Sequence, residues 1–284
     1  MKVGILLNPQ KAGGLKTMAA LRDALEKRGC KCYLETKTAK LAGEKGGIPA
    51  KRFVDKVDVA AVLGGDGTMM QAVSRFEHFA KPVAGVNIGT LGFLTTCTEV
   101  EIDQLADAIA SGNFKTSPRM LLEATVIRKK EKPEVYYGLN EVAIARGETG
   151  RLVTLNARVD GEWLNRYRAD GLIIATPTGS TAYSLSAGGP LIAPQSSVMA
   201  ITPICPHSLS QRALVVSDDV TIEISPEREE DGPMLFTVDG RDMTRLNHGD
   251  RIIVKKADRS FHLLQLEGSS FFGALRKKLG WQGV

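Results

Sequence analysis

The sequence lacks long apolar runs and has few cysteines, and each shortage excludes a class of protein. No apolar stretch approaches the roughly 18 residues that a membrane-spanning helix needs, and the apolar part of residues 1–9 is too short for a signal peptide. The four cysteines have neither a metal-ligand spacing nor the density of a disulfide scaffold. We therefore expect a cytoplasmic protein that neither spans a membrane nor depends on disulfides.

Aromatic residues and concentrated positive charge are also scarce. The formal net charge is +5, aromatic residues make up 6% of the chain, and the basic clusters at 129–130 and 276–278 are short. A nucleic-acid-binding surface usually combines a dense basic patch with a recognisable binding motif, so we predict no nucleic-acid partner. The small positive excess fits an anionic small-molecule substrate.

Two common nucleotide-binding signatures are missing. The segment Gly13-Gly14-Leu15-Lys16-Thr17 lacks the spacing of a P-loop, and no G-x-G-x-x-G follows a predicted strand. A dinucleotide would therefore not bind in the usual Rossmann manner. Asn8-Pro9 together with Gly13-Gly14 is compatible either with a phosphate site beside the first strand or with a plain turn.

The remaining composition, 43% hydrophobic and 24% charged over 284 residues, is that of a globular protein with room for two domains. Strands alternate with amphipathic helices in residues 1–115, which predicts an α/β domain with a Rossmann-like parallel sheet. Strands follow one another in residues 116–266, which predicts a β-rich, sandwich-like domain. Residues 267–284 are expected to form a C-terminal helix that packs back on the first domain.

Three local patterns give further structural predictions. Residues 37–51 are rich in lysine and glycine and indicate a surface loop. Val135–Arg146 is predicted to form one strand. Asp160-Gly161, between two strand-like runs, is typical of a two-residue hairpin turn.

The first candidate site is Gly64-Gly65-Asp66-Gly67, which follows a predicted apolar strand and precedes a helix. Ligands of open α/β sheets bind at the carboxyl ends of strands, and the glycines allow a phosphate to reach backbone N–H groups at a helix N-terminus. A carboxylate there would repel phosphate, so its presence at a phosphate site points to a chemical role. Such a role is accepting a proton from an attacking hydroxyl or holding a metal ion. The alternative is an ordinary Asp-Gly turn. We favour a functional role for Asp66.

The second candidate site is segment 168–190, in which an apolar strand lies between Arg168-Ala169-Asp170 and a loop rich in hydroxyl groups. The loop contains Tyr183 and Leu185 in addition to its serines and threonines. This chemistry suits a polar ligand with many hydroxyls and ring nitrogens, with Tyr183 as a stacking face. The alternative is a Ser/Thr-rich turn that caps a helix.

Together these motifs resemble those of the NAD kinase family in its bacterial form. The run Gly64–Thr68 alone is shared by several kinases, including lipid kinases. The resemblance is specific because other matching segments follow in the right order over nearly the whole chain: Asn87–Leu94, Leu139–Val142, 168–190, Thr202–Ser210 and Asp239-Gly240.

The resemblance implies phosphorylation of the adenosine-ribose 2′-hydroxyl of NAD by ATP, which gives NADP, with a divalent metal ion such as Mg²⁺. It implies that Asp66 is the proton acceptor, that Gly67 lies beside the ligand, and that Asn140 and Glu141 bind the adenosine part of NAD. It also implies assembly as a homodimer or homotetramer. The other binding residues that it implies are Arg151, Arg168, Asp170, Thr178, Thr181, Ala182, Tyr183, Ser184, Leu185 and Ser186.

Several positions leave alternatives open. Ala213 stands where the family often has proline, and Arg241 stands where many bacterial members have glutamine, so the role of Arg241 is undecided. His207 is either a ligand contact or a hydrogen-bonded core histidine. A solvated salt bridge is the alternative for Arg151 and Arg168.

The sequence also leaves two other functions open. A lipid kinase of the diacylglycerol or sphingosine type would share Asn8-Pro9 and Gly64–Thr68, but it should carry a Gly-Thr-x-Asn-Asp-Phe run where this chain has Asn87–Leu94. A non-catalytic NAD(P) sensor would keep the pocket, and the intact motif around Asp66 argues against it.

Overall fold

A computed structural model of the chain describes residues 1–76, 80–89, 92–147 and 150–281. The chain divides into two compact units: unit 1 is Met1–Arg119 with Ser260–Val284, and unit 2 is Met120–Arg259. The sequence suggested boundaries after residues 115 and 266, whereas the units divide after residues 119 and 259. Both divisions lie inside continuous strands, Lys115–Ile127 and Arg251–Gln265.

The helices and strands follow the chain in this order. The first part contains β1 (Lys2–Leu7), α1 (Gly14–Lys27), β2 (Lys31–Leu34), α2 (Thr36–Leu41), α3 (Phe53–Lys56), β3 (Val59–Gly64), α4 (Asp66–Phe76), β4 (Val83–Asn87), β5 (Cys97–Thr98), α5 (Ile102–Ser111) and β6 (Lys115–Ile127). The rest contains β7 (Glu134–Gly138), β8 (Glu141–Ala145), β9 (Val153–Val159), β10 (Glu162–Ala169), β11 (Gly171–Ala175), α6 (Tyr183–Ser186), β12 (Val198–Ile204), β13 (Leu214–Ser217), β14 (Ile222–Pro226), β15 (Met234–Val238), β16 (Arg241–Leu246), β17 (Arg251–Gln265) and α7 (Phe271–Leu279).

Unit 1 is built on a parallel sheet in the order β2-β1-β3-β4, so the expected α/β domain is confirmed. Strands β3 and β4 are buried at every position, as expected for parallel strands covered on both faces. Helices α1 and α5 contribute apolar side chains, such as Leu21 and Leu105, to the core on one face. Because β3 leads directly into α4, the residues between them lie at the carboxyl edge of the sheet.

Unit 2 contains an antiparallel sheet whose described strands run in the order β13-β12-β11-β8-β15-β16. A second layer contains β10, β9, β14 and the first part of β17, also antiparallel. Apolar side chains from both layers, including Ile174, Phe236, Leu155 and Ile252, form one core. The β-rich, sandwich-like expectation is therefore confirmed.

The hairpin prediction is confirmed, because Asp160 and Gly161 have φ angles of 49° and 80° and join the antiparallel strands β9 and β10. The surface-loop prediction for residues 37–51 is wrong over part of its length. Helix α2 begins after Glu35, whose side chain accepts hydrogen bonds from the backbone N–H groups of Lys37 and Thr38. This cap precedes the segment, so its lysine and glycine content gave no sign of the helix.

The prediction of one strand over Val135–Arg146 is also wrong. The chain forms two strands, β7 and β8, which are interrupted at Leu139 and Asn140. Strand β7 pairs with β6, whereas β8 pairs with β11 and β15. The polar break between them becomes part of the candidate site.

Among the described residues, no helix is long and apolar enough to cross a membrane.

Candidate functional site

Asp66 is the first residue of helix α4 and lies two residues beyond the end of β3. Its Oδ2 accepts a hydrogen bond from the backbone N–H of Phe93 at 2.8 Å, and its Oδ1 accepts one from Leu94 at 3.0 Å. Each carboxylate oxygen therefore has one fixed donor and retains a further lone pair. The side chain is held in place and still able to accept a proton.

Glycine is required at position 92 by this arrangement. A Cβ at Gly92 would lie 1.8 Å from Oδ1 of Asp66, so any larger residue would displace the carboxylate. A Cβ at Gly67, in contrast, would meet nothing within 4 Å, which leaves the start of α4 open on that side. Residues 90–91 of the motif Asn87–Leu94 lie outside the described residues.

Asn8 joins the same group of residues. Its side-chain Nδ2 donates to Oγ1 of Thr68 at 3.0 Å, and its backbone N–H donates to the carbonyl of Leu63 at 3.0 Å. The sequence left Asn8-Pro9 open between a phosphate site and a plain turn. The structure connects Asn8 to the Gly64–Thr68 turn, across two neighbouring parallel strands.

In unit 2, Asp239 organises the break between β7 and β8. Its carboxylate accepts hydrogen bonds from the backbone N–H groups of Leu139, Asn140 and Glu141 at 2.9, 2.7 and 3.3 Å. Asp239 is buried and has a φ of 49°, a conformation that aspartate tolerates better than most residues. Burial raises the pKa of Asp239, and these backbone donors oppose the rise.

Glu141 is a second buried carboxyl group of the candidate site. Its side chain is 5% exposed, and its Oε2 is buried without a hydrogen-bond partner among the described residues. Burial, with a smaller contribution from the charge of Asp239, raises the pKa of Glu141 to about 8. A carboxyl group with this pKa carries a proton at neutral pH, so it can both donate and accept a hydrogen bond.

The loop after β11 packs tightly against Asn140. The backbone N–H of Thr176 donates to the carbonyl of Asn140 at 2.8 Å, and Oγ1 of Thr176 donates to the carbonyl of Leu139 at 2.6 Å. A Cβ at Gly179 would lie 2.0 Å from the carbonyl oxygen of Asn140, so this close approach requires glycine. The Oγ1 of Thr178 is buried there without a partner among the described residues.

Tyr183 begins the short helix α6, with Ala182 immediately before it and Ser184, Leu185 and Ser186 after it. The Tyr183 side chain is 43% exposed, which leaves part of its ring free to stack. Its pKa is raised first by burial and further by the neighbouring ionisable groups Cys205, Asp170 and Glu141.

The hydroxyl groups of the loop differ in their availability. Ser184 is fully buried, and its Oγ lies 2.9 Å from Oγ1 of Thr202. Thr181 donates to the carbonyl of Thr178 at 3.1 Å. The Ser184 hydroxyl therefore stabilises the loop through its hydrogen bond with Thr202. Its predicted contact with a ligand stays a prediction.

The predicted arginines are less closely connected to this group. Arg168 and Arg151 are both exposed, and neither makes a side-chain hydrogen bond or ion pair with the part of the chain that the structure describes. Asp170 instead pairs with Arg146, with 3.1 Å between Nε and Oδ1. Arg146 was not among the residues selected from the sequence.

His207 is exposed, so its interpretation as a core histidine is wrong. Its backbone N–H donates to the carbonyl of Arg168 at 2.9 Å. Arg241 lies close enough to Asp239 for its charge to oppose the rise in the pKa of that carboxyl group.

No group of three or more His, Cys, Asp or Glu residues is placed to hold a metal ion in the described ranges. Mg²⁺ often binds through one or two carboxylates, several waters and the phosphates of a substrate. Asp66, beside the glycine-rich turn, could supply one such carboxylate.

Sequence reasoning missed the supporting roles of Asp239, Gly92 and Arg146. Asp239-Gly240 had been noted as a motif, but its carboxylate acts about a hundred residues away, on the backbone at Leu139. No local pattern marks such a contact. The clustering of glycine around Gly92 was the available signal for a close approach.

Family models match most of the chain. The ATP-NAD kinase N-terminal domain matches residues 3–114, and the ATP-NAD kinase C-terminal domain matches residues 139–266. The NAD kinase of Chlorobium luteolum is 40% identical over 281 residues, 99% of this chain and 97% of the relative. The NAD kinase of Caldanaerobacter subterraneus subsp. tengcongensis is 37% identical over 281 residues, 98% of both chains.

Solved structures agree with these sequence matches. Yeast NADH kinase complexed with NADH superposes with a TM-score of 0.92 at 28% identity, covering 100% of this chain and 89% of that one. The NAD kinase from Archaeoglobus fulgidus in complex with ATP shares the fold, with a TM-score of 0.77, 22% identity and full coverage of both chains. The matched domains and relatives show that the chain belongs to the NAD kinase family.

Proposed function

We propose that the protein transfers a phosphoryl group from ATP to the 2′-hydroxyl of the adenosine ribose of NAD, giving NADP. Membership of the ATP-NAD kinase family supports both substrates. The observation that carries the proposal is the carboxylate of Asp66, fixed by two backbone N–H groups at the carboxyl edge of a parallel sheet. Ligands bind at this edge in open α/β folds.

Asp66 would act as the general base. A ribose hydroxyl is a weak nucleophile while it keeps its proton, and Asp66 can accept that proton as the new phosphorus–oxygen bond forms and the bond to the leaving ADP oxygen breaks. The N–H groups of Phe93 and Leu94 hold the carboxylate during this step. The open space beside Gly67 and the positive end of helix α4 suit the phosphate groups.

NAD would be held by the residues gathered in unit 2. Asn140 and Glu141 present an amide and a protonated carboxyl group, which together offer donors and acceptors to adenosine hydroxyls and ring nitrogens. Tyr183 offers a partly exposed ring for stacking. We further propose that Arg151, Arg168, Asp170, Thr178 and the segment 181–186 complete this set, and that Gly67 of unit 1 lies beside the ligand.

A divalent ion, with Mg²⁺ as the expected species, would neutralise charge on the phosphates of ATP when bound. Asp66 is the residue of the glycine-rich turn that could contribute to its coordination. A cytoplasmic location and assembly as a homodimer or homotetramer remain part of the proposal.

The test is incubation of the full chain with NAD, ATP and Mg²⁺, followed by detection of NADP with an NADP-specific dehydrogenase. Parallel reactions contain diacylglycerol or sphingosine in place of NAD. We expect NADP and no phosphorylated lipid. Lipid turnover without NADP would identify a lipid kinase, and NAD binding without any turnover would identify a sensor.

A further inference from the structure

A cavity of about 570 Å³ lies in unit 1. Its walls come from segment 92–101, the end of β17 and the beginning of α7, and they include Phe93, Thr98, Ser269 and Phe271. None of the described residues that line it belongs to Gly64–Thr68. A volume of this size is within the ordinary range for small-molecule sites.

Arg119 lines this cavity and is 3% exposed. Its Nε is buried without a hydrogen-bond partner, and its side chain forms no ion pair with any residue that the structure describes. Burial lowers the pKa of Arg119 to about 10, with no acidic group offsetting the effect. The guanidinium is nevertheless charged at neutral pH, and a buried, unpaired charge is strongly unfavourable unless a counter-ion joins it.

The other charged groups of the cavity favour an anion. Arg276 and Lys277 line it from the exposed side of α7. Glu101 is the one carboxylate among the described lining residues, and its Oε2 already accepts hydrogen bonds from the N–H and the hydroxyl of Thr98, both at 2.7 Å. Helix α7 is nine residues long and is capped by Ser270. Its N-terminus, which carries the positive end of the helix dipole, lies at the cavity wall.

We propose that this cavity binds a small phosphate-bearing anion that pairs with Arg119. The planar guanidinium matches two oxygens of one phosphate. The hydroxyl group of Ser269 and the start of α7 supply further polar groups at the wall. The cavity shares Gly92 and Phe93 with the loop that holds Asp66, so the test measures binding directly and does not depend on turnover.

The probe is inorganic pyrophosphate, titrated calorimetrically into the full chain without Mg²⁺ at constant ionic strength. We expect saturable binding that Arg119→Met weakens by at least about tenfold, since the variant loses the charged hydrogen bonds. Arg52→Met is the matched control, because it removes the same charge from an exposed position of unit 1, and it should bind as the unsubstituted chain does.

A second measurement keeps the test decisive. Without pyrophosphate, Arg119→Met should unfold at the same or a higher temperature than the unsubstituted chain, because it removes an unpaired buried charge. If Arg119→Met does not fold, the exposed double variant Arg276→Gln/Lys277→Gln should weaken pyrophosphate binding. The proposal would be overturned if the full chain showed no saturable binding of pyrophosphate, or if Arg119→Met bound pyrophosphate as tightly as Arg52→Met. It would also be overturned if citrate bound in the same titration while pyrophosphate and phosphate did not.

Discussion

Replacement of Asp66 by asparagine separates the chemistry of this carboxylate from its structural role. The two oxygens of Asp66 accept one backbone N–H each, from Phe93 and from Leu94. The asparagine amide has a single oxygen, so it can accept only one of these bonds, and its NH₂ group would face the other N–H. Asn-Gly turns are otherwise as favourable as Asp-Gly turns.

The structural and chemical effects differ in size. One partly buried N–H left without an acceptor costs about 1–3 kcal/mol of folding free energy. A protein with about 5–15 kcal/mol of stability stays folded after such a loss. Loss of a general base, in contrast, lowers turnover by about 10²–10⁴-fold, so we expect Asp66→Asn to reduce turnover at least about a hundredfold.

The assay compares steady-state NADP formation, NAD binding and thermal unfolding of Asp66→Asn with those of a matched variant. Thr95→Ala removes the hydroxyl that accepts the N–H of Gly92 at 3.1 Å. It therefore leaves one N–H unpaired in the same loop while keeping the carboxylate. We expect both variants to lose similar stability, to bind NAD and to differ greatly in turnover.

Near-normal turnover of Asp66→Asn would remove Asp66 from the mechanism. Equal loss of turnover in Asp66→Asn and Thr95→Ala would show that loop geometry, and not the proton acceptor, limits the reaction.

Three further predictions concern the binding residues, pH and assembly. Tyr183→Ala should weaken NAD binding about tenfold or more, since stacking on a base contributes roughly 1–3 kcal/mol; unchanged affinity in a folded variant would contradict stacking. Because burial raises the pKa of Glu141 from 4.5 to about 8, its stabilising contribution is complete below about pH 4.5 and is lost as pH rises through 8. The melting temperature of the unsubstituted chain should therefore fall relative to Glu141→Gln between about pH 5 and pH 8, and parallel curves would refute the shift. Light scattering should give a dimer or a larger assembly, whereas the mass of one chain at micromolar concentration would count against self-association.

The sequence by itself determined the classes of structure and the position of the main motif. Alternating strands and helices indicated the parallel sheet, because hydrophobic periodicity and short-range backbone preferences depend on neighbouring residues. The same local rules put Asp66 just after a buried strand and a turn at Asp160-Gly161. They did not reveal helix α2, whose cap at Glu35 precedes the segment that looked like a loop.

The tertiary structure alone decided which distant groups meet. The donors to Asp66 are 27 and 28 residues away, and the carboxylate of Asp239 acts on Leu139, 100 residues away. Nothing in the local sequence singles out Arg119, yet packing buries it beside a cavity without a counter-ion. Such contacts depend on chain closure and on burial within a whole unit, so the perturbed pKa of Glu141 and the unpaired charge of Arg119 become visible only once the chain is folded.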